Sequence, residues 1–155
     1  MGLDYPFARY RARLRSGNAE TGYAPSRRHA RVDAPLGTLE YLYLGSKDFE
    51  RDLAYYRDVL GAEPVWNLEG FRARVAAFRL GEGALILLAD HRPAPSSIAL
   101  FSVGDLRETI KRLKRRGWTP EGRPFEIPNG PCSVFEDPSG NRFGIFENVR
   151  PRPFE

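Results

Sequence analysis

The sequence predicts an α+β fold built from two βαβββ modules whose curved mixed sheets surround a central cleft, and two observations predict it. The first is an internal repeat. "LEYLYLGSKDFERDLAYYRDVLG" (39–61) reads as strand, turn and helix, and "SIALFSVGDLRETIKRLKRRG" (97–117) repeats it, with Asp105 standing 57 residues (105 − 48) after Asp48. The second is a change of period: after each helix the apolar residues pass from helical spacing to alternation, as strands require. Such a module covers one sheet face with its helix and leaves the other bare. Two modules therefore pair around a shared cavity.

Taken in order, each element has its own signal. Asp48 and Asp105 stand where a helix N-cap accepts backbone N–H groups. Phe49, Leu53, Tyr56 and Leu60 then recur at helical spacing, as do Leu106, Ile110 and Leu113. Gly61 and Gly117 follow as C-terminal stops. The first module continues with "EPVWNL", "FRARVAAFRL" and "ALILLA", the second with the less regular "RPFEI", "CSVFE" and "RFGIFE". In the last turn Pro138 fixes φ, Ser139 and Gly140 reverse the chain, and Asn141 tolerates the left-handed region. Beyond it Phe143 and Ile145 fall on one strand face, and Arg142, Gly144 and Phe146 on the other. These signals predict a single domain at 37–150, with modules at about 37–91 and 96–150, a basic extension at 1–36 and a tail at 151–155.

A chain of 155 residues, 41% hydrophobic, suits one domain with one core. Its longest apolar run, "ALILLA" (84–89), falls far short of the roughly 20 residues a bilayer span needs, and no secretory h-region is visible. No membrane helix is expected. The single cysteine, Cys132, makes no internal disulfide, which agrees with a cytoplasmic location.

The net charge of +4 is unevenly placed. Residues 1–36 hold seven arginines against Asp4, Glu20 and Asp33, leaving 17 (24 − 7) basic and 17 (20 − 3) acidic groups in the remainder. The body is neutral, so nucleic acid is not the expected partner of the domain. Within the extension, Asp4, Pro6, Phe7, Tyr10 and Leu14 suggest one short helix. "KRLKRRG" (111–117) reads as the solvated face of the second helix, where cations suit the dipole.

The duplicated pattern, with "KDFERDLAYYRDVLG" in the first half and "FEDPSGNRFGIFE" in the second, resembles the vicinal oxygen chelate superfamily of glyoxalases, bleomycin-resistance proteins and extradiol dioxygenases. The resemblance covers 37–150. It implies a glyoxalase/bleomycin-resistance fold, commonly dimeric, and in members that do chemistry a divalent metal held by His and Glu from the first and last strand of each module. The positions that would carry those ligands are Tyr41, Ile86, Ile98 and Gly144. None is a usual ligand for a hard or borderline cation, so a metal-free site with no cofactor is expected. A one-residue slip would bring Glu40 inward, but would also turn Leu42 and Leu44 off the helix. Of the two histidines, His29 lies in the extension and His91 in the inter-module linker, both expected as solvated loop residues.

Along the strands, Tyr41, Tyr43, Ile86, Ile98, Leu100, Gly144 and Phe146 point inward, with Trp66 and Phe135 as additions; they line a ligand cavity or close the sheet core. Arg72 and Arg74 share a strand face, either as solvated edge charges or, turned inward, as a grip for an anion. Cys132 reads as a structural thiol. The expected ligand-binding set is Tyr41, Tyr43, Trp66, Arg74, Ile86, Phe135 and Phe146. The expected function is metal-independent binding of a small organic ligand by a homodimer, by sequestration or as a ligand-responsive module. The alternative is a lyase, isomerase or dioxygenase, using a metal not recognised here or acid–base work by Tyr41, Tyr43 or Glu40.

Overall fold

The computed structural model describes residues 35–70 and 72–150, within the unit Asp33–Glu155. The expected N-terminal helix, His29 and the 151–155 tail lie outside the described residues.

Both modules take the βαβββ form. The first comprises β1 (Leu39–Gly45), α1 (Phe49–Ala54), β2 (Glu63–Gly70), β3 (Ala73–Arg79) and β4 (Leu85–Ala89). The second comprises β5 (Ser97–Val103), α2 (Leu106–Arg115), β6 (Phe125–Ile127), β7 (Gly130–Glu136) and β8 (Arg142–Glu147). Their strands form one eight-stranded sheet in the order β2-β3-β4-β1-β5-β8-β7-β6. Within each module the first strand runs parallel to the last, β1 to β4 and β5 to β8. The modules join where β1 pairs antiparallel with β5. The sheet is curled, with the helices on its outer face.

The caps are equivalent. Asp48 accepts from Arg51 N at 3.2 Å and Asp105 from Glu108 N at 2.8 Å, each at the third residue of its helix. After α2, Gly117 takes φ +89°, and Trp118 N bonds Leu113 O at 3.1 Å, a left-handed C-terminal stop. α1 ends differently, passing into a π-helical turn at Tyr55–Val59 in which Leu60 N bonds Tyr55 O. The wider turn rotates Leu60 off the apolar stripe, so it is exposed, whereas Phe49, Leu53 and Tyr56 pack as expected.

Two cores line the outer face. Phe49 meets Ala76, Phe78, Leu88 and Leu44 under α1, and Leu106, Ile110 and Leu113 of α2 meet Val103, Phe101, Ile145 and Phe135. A third core lies on the inner face, where Ile98, Leu100, Cys132 and Phe146 are buried beneath Tyr41, Tyr43, Ile127 and Val134. The final turn is tied by Asp137, whose carboxylate accepts from Ser139 N, Asn141 N and Asn141 Nδ2. Gly140, at φ +85°, takes the left-handed position there.

Candidate functional site

Residues facing each other across neighbouring strands share a sheet face, so the register sorts the expected set. Tyr41 and Tyr43 lie opposite Leu100 and Ile98, and Leu100 lies opposite Gly144. Phe146 is fully buried beneath Tyr41, whose ring stacks on it at 5.7 Å. Tyr41, Tyr43 and Phe146 thus meet on the inner face. Their neighbours from β4 are Leu85 and Leu87.

The other four expected residues lie elsewhere. Ile86 faces outward, opposite Leu42 and Phe78, because the true counterpart of Gly144 is Leu87; the same step of 57 (144 − 87) that separates the two cap aspartates relates them. Phe135 packs on Phe143 and Trp118 beside α2, one residue out of phase with the inner-facing Val134. Arg74 is held on the α1 side, with Nε 2.9 Å from Asp90, Nη1 2.6 Å from Glu50 and its guanidinium 4.5 Å above the Phe49 ring. That pairing leaves no fork for a ligand. Trp66 sits on the outermost strand, three strands from β1, where it lines a separate cavity of about 250 Å³ with Leu53, Arg57 and Phe78.

The four positions equivalent to the superfamily's metal ligands are therefore Tyr41, Leu87, Ile98 and Gly144. A Cβ built on Gly144 would run into Leu100 Cδ2, so leucine fills the place a ligand side chain there would take. Among the described residues no group of three His, Cys, Asp or Glu side chains could hold a metal ion. This donor set does not fit a divalent cation.

Polar groups flank this hydrocarbon floor at both ends. At one end Tyr41 Oη accepts a long 3.4 Å bond from Asn129 Nδ2. Beside it the register of β1 shifts between Leu39 and Tyr41, and Ser102 Oγ donates to Glu40 Oε1 at 3.0 Å. Ser102 lies opposite Phe146, so Glu40 reaches the inner side. A bulge brings it there while Leu44 stays packed under α1, which a whole-strand slip would not allow.

At the other end Tyr43 Oη lies 2.9 Å from His91 Nε2, and the Arg92 guanidinium sits 5.1 Å from the Tyr43 ring centre. His91 is an exposed residue, as expected of a linker, but it is tied to the site. Sequence reasoning passed over Arg92. The signal was the parallel β1–β4 pair, which carries the chain leaving Ala89 past the end of β1.

Burial pushes the Tyr43 phenol up to about 12, with Arg92 opposing and Asp90 adding to the rise. Burial also raises Tyr41, against the Asn129 hydrogen bond and with help from Glu40. Both are neutral phenols at physiological pH. They are suited to donate or accept hydrogen bonds rather than to act as bases.

A single curled sheet built from two paired βαβββ modules defines the architectural class of this domain. The profile of the Glyoxalase/Bleomycin resistance protein/Dioxygenase superfamily matches residues 38–145, and the chain belongs to that superfamily. Among solved structures it is similar to methylmalonyl-CoA epimerase from Mycobacterium tuberculosis, with a TM-score of 0.66 at 17% identity over 79% of this chain and 95% of that one. A hypothetical protein from Bacillus halodurans gives 0.62 at 14%, over 70% and 92%. The Streptomyces coelicolor methylmalonyl-CoA epimerase in complex with 2-nitronate-propionyl-CoA gives 0.61 at 12%, over 74% and 96%. At these identities the likeness is one of fold. No curated protein matches the chain.

Proposed function

We propose that this protein binds a small, partly aromatic organic molecule on the inner face of the sheet without a divalent metal, as a sequestering or ligand-responsive member of its superfamily. The observation that carries this reading is the leucine at the ligand position: Leu100 occupies the space a donor at residue 144 would need. Apolar walls with a few convergent polar groups suit such a ligand. The tyrosines add flat contact area and hydroxyls to orient it. Tyr41→Ala, which removes a half-buried ring, is expected to weaken binding far more than it lowers Tm. Tyrosine fluorescence titration with a panel of aromatic compounds, alongside thermal melts, measures both. A variant that unfolds, or that binds as wild type does, places the ligand elsewhere.

The proposal includes a symmetric homodimer with two equivalent clefts. Phe146 is already covered within one chain, so the drive to pair comes from exposed apolar residues such as Tyr55, Val59, Leu60 and Val65. Sedimentation at micromolar concentration tests it, a monomer being the contrary result.

A second reading, an isomerase, is favoured by one observation: the bulge presents the Glu40 carboxylate beside the inner face, where a proton could be abstracted. The fold neighbours named as epimerases suggest the assay, solvent-deuterium incorporation into methylmalonyl-CoA. Incorporation lost in Glu40→Gln supports catalysis. None, with binding retained, leaves the binding reading in place.

A further inference from the structure

We propose that the Tyr43 end of the inner face is a carboxylate-binding subsite, anchored by the Arg92 guanidinium. The inference rests on the binding reading above and deepens it: the ligand is an organic acid whose hydrocarbon body lies along the half-buried Tyr41, Tyr43 and Val134. The Arg92 guanidinium carbon lies over the Tyr43 ring, 5.1 Å from its centre. Its Nε is buried and has no acceptor among the described residues. A buried donor left unpaired is costly, and such groups in folded proteins ordinarily have a partner.

The neighbouring carboxylates are already engaged. Asp90 accepts from Arg74 N and Nε, each at 2.9 Å. Glu121 pairs with Arg142 Nη2 at 2.7 Å, and Glu136 lies 3.8 Å from Arg142 Nε. Arg142 stands on the same strand face as Gly144 and adds positive potential: its charge, after burial, pulls the Arg92 guanidinium below its usual range. Among the described residues Arg92 is left as a cation without an anion.

The planar fork of a guanidinium matches a carboxylate through two parallel hydrogen bonds. His91 Nε2 fixes the Tyr43 hydroxyl at 2.9 Å as a second polar contact. One unpaired cation beside hydrocarbon favours a monoanion over a phosphate dianion, which would need more charge to offset its desolvation.

The test follows the Arg92 Nε–Hε resonance of the full chain by NMR, assigned by its loss in Arg92→Lys, during titration with 3-phenylpropionate, 3-phenylpropionamide and acetate. The acid is expected to move that resonance and to bind at least about tenfold more tightly than the amide, the size of one charge-assisted hydrogen bond. Arg92→Met is expected to bring the acid to the amide's affinity while leaving the amide unchanged. Equal affinity for acid and amide, with the resonance unmoved, overturns the subsite and leaves the apolar cleft standing. A resonance moved as well by acetate as by 3-phenylpropionate keeps the subsite but refutes the cleft. If no anion moves it, the inference is wrong, whatever the variants do.

Discussion

Tyr43 holds its proton against the pull of the Arg92 cation, and the consequence is measurable. Its pKa rises from the ordinary 10.0 to about 12, chiefly through burial. Folding therefore favours the neutral phenol: this contribution to stability is complete below pH 10.0 and is lost as pH climbs through about 12. Alkaline melts followed by circular dichroism should show wild type weakening over that interval and Tyr43→Phe weakening less. Cys132, 1% exposed, has its thiol pushed up to about 12 by the same cause. Native protein at neutral pH should resist iodoacetamide, and denatured protein should react. Gly144 tests the leucine-filled position directly. Gly144→Glu alone is expected to cost roughly 1–3 kcal/mol in urea titration, since Leu100 is packed on Ile98 and Phe146 and cannot swing clear. Adding Leu100→Ala should recover part of that cost, and strict additivity would mean the two sites do not compete for the same space.

At the level of elements, cap chemistry was legible because it is local. Asp105 does what its position promised, and Asp105→Ala should cost about 1 kcal/mol in chemical denaturation. Glu147 was less legible. Taken alone it looks like an exposed strand end, but its carboxylate accepts from Leu106 N at 3.0 Å and fastens the end of β8 to the start of α2. Glu147→Gln should lower Tm, and an unchanged melt would show the bond to be dispensable. What the sequence hid were departures from strict period. The π turn after α1 moves Leu60, the β1 bulge moves Glu40, and an error of one residue in β4 exchanges Ile86 for Leu87. Arg74 was hidden for another reason: its partners Glu50 and Asp90 come from other elements, and pairing at such distance leaves no local trace. The modules, their caps and the placement of Tyr41, Tyr43 and Phe146 needed only neighbouring residues and the repeat.

For the whole molecule, the uneven charge predicts that a chain without residues 1–36 remains folded and near neutral. Circular dichroism and ion-exchange behaviour would check this, and salt-sensitive DNA binding retained by the truncated chain would point to the α2 cations instead. Zinc, cobalt or nickel should leave the melting temperature of the intact protein unchanged, because among the described residues no set of donors rewards a bound ion. The strand order reads the same from either end once the modules are exchanged, so the backbone has an approximate twofold axis between β1 and β5. The side chains do not obey it. The step of 57 that carries Tyr41 to Ile98 and Tyr43 to Leu100 sets a phenol against a hydrocarbon each time. The half-buried phenols of β1 have buried hydrocarbon, Ile98 and Leu100, as their counterparts on β5, and the twofold holds for the backbone alone. A ligand held on this face, as proposed above, would have one preferred orientation of the two that a perfect twofold would make equivalent.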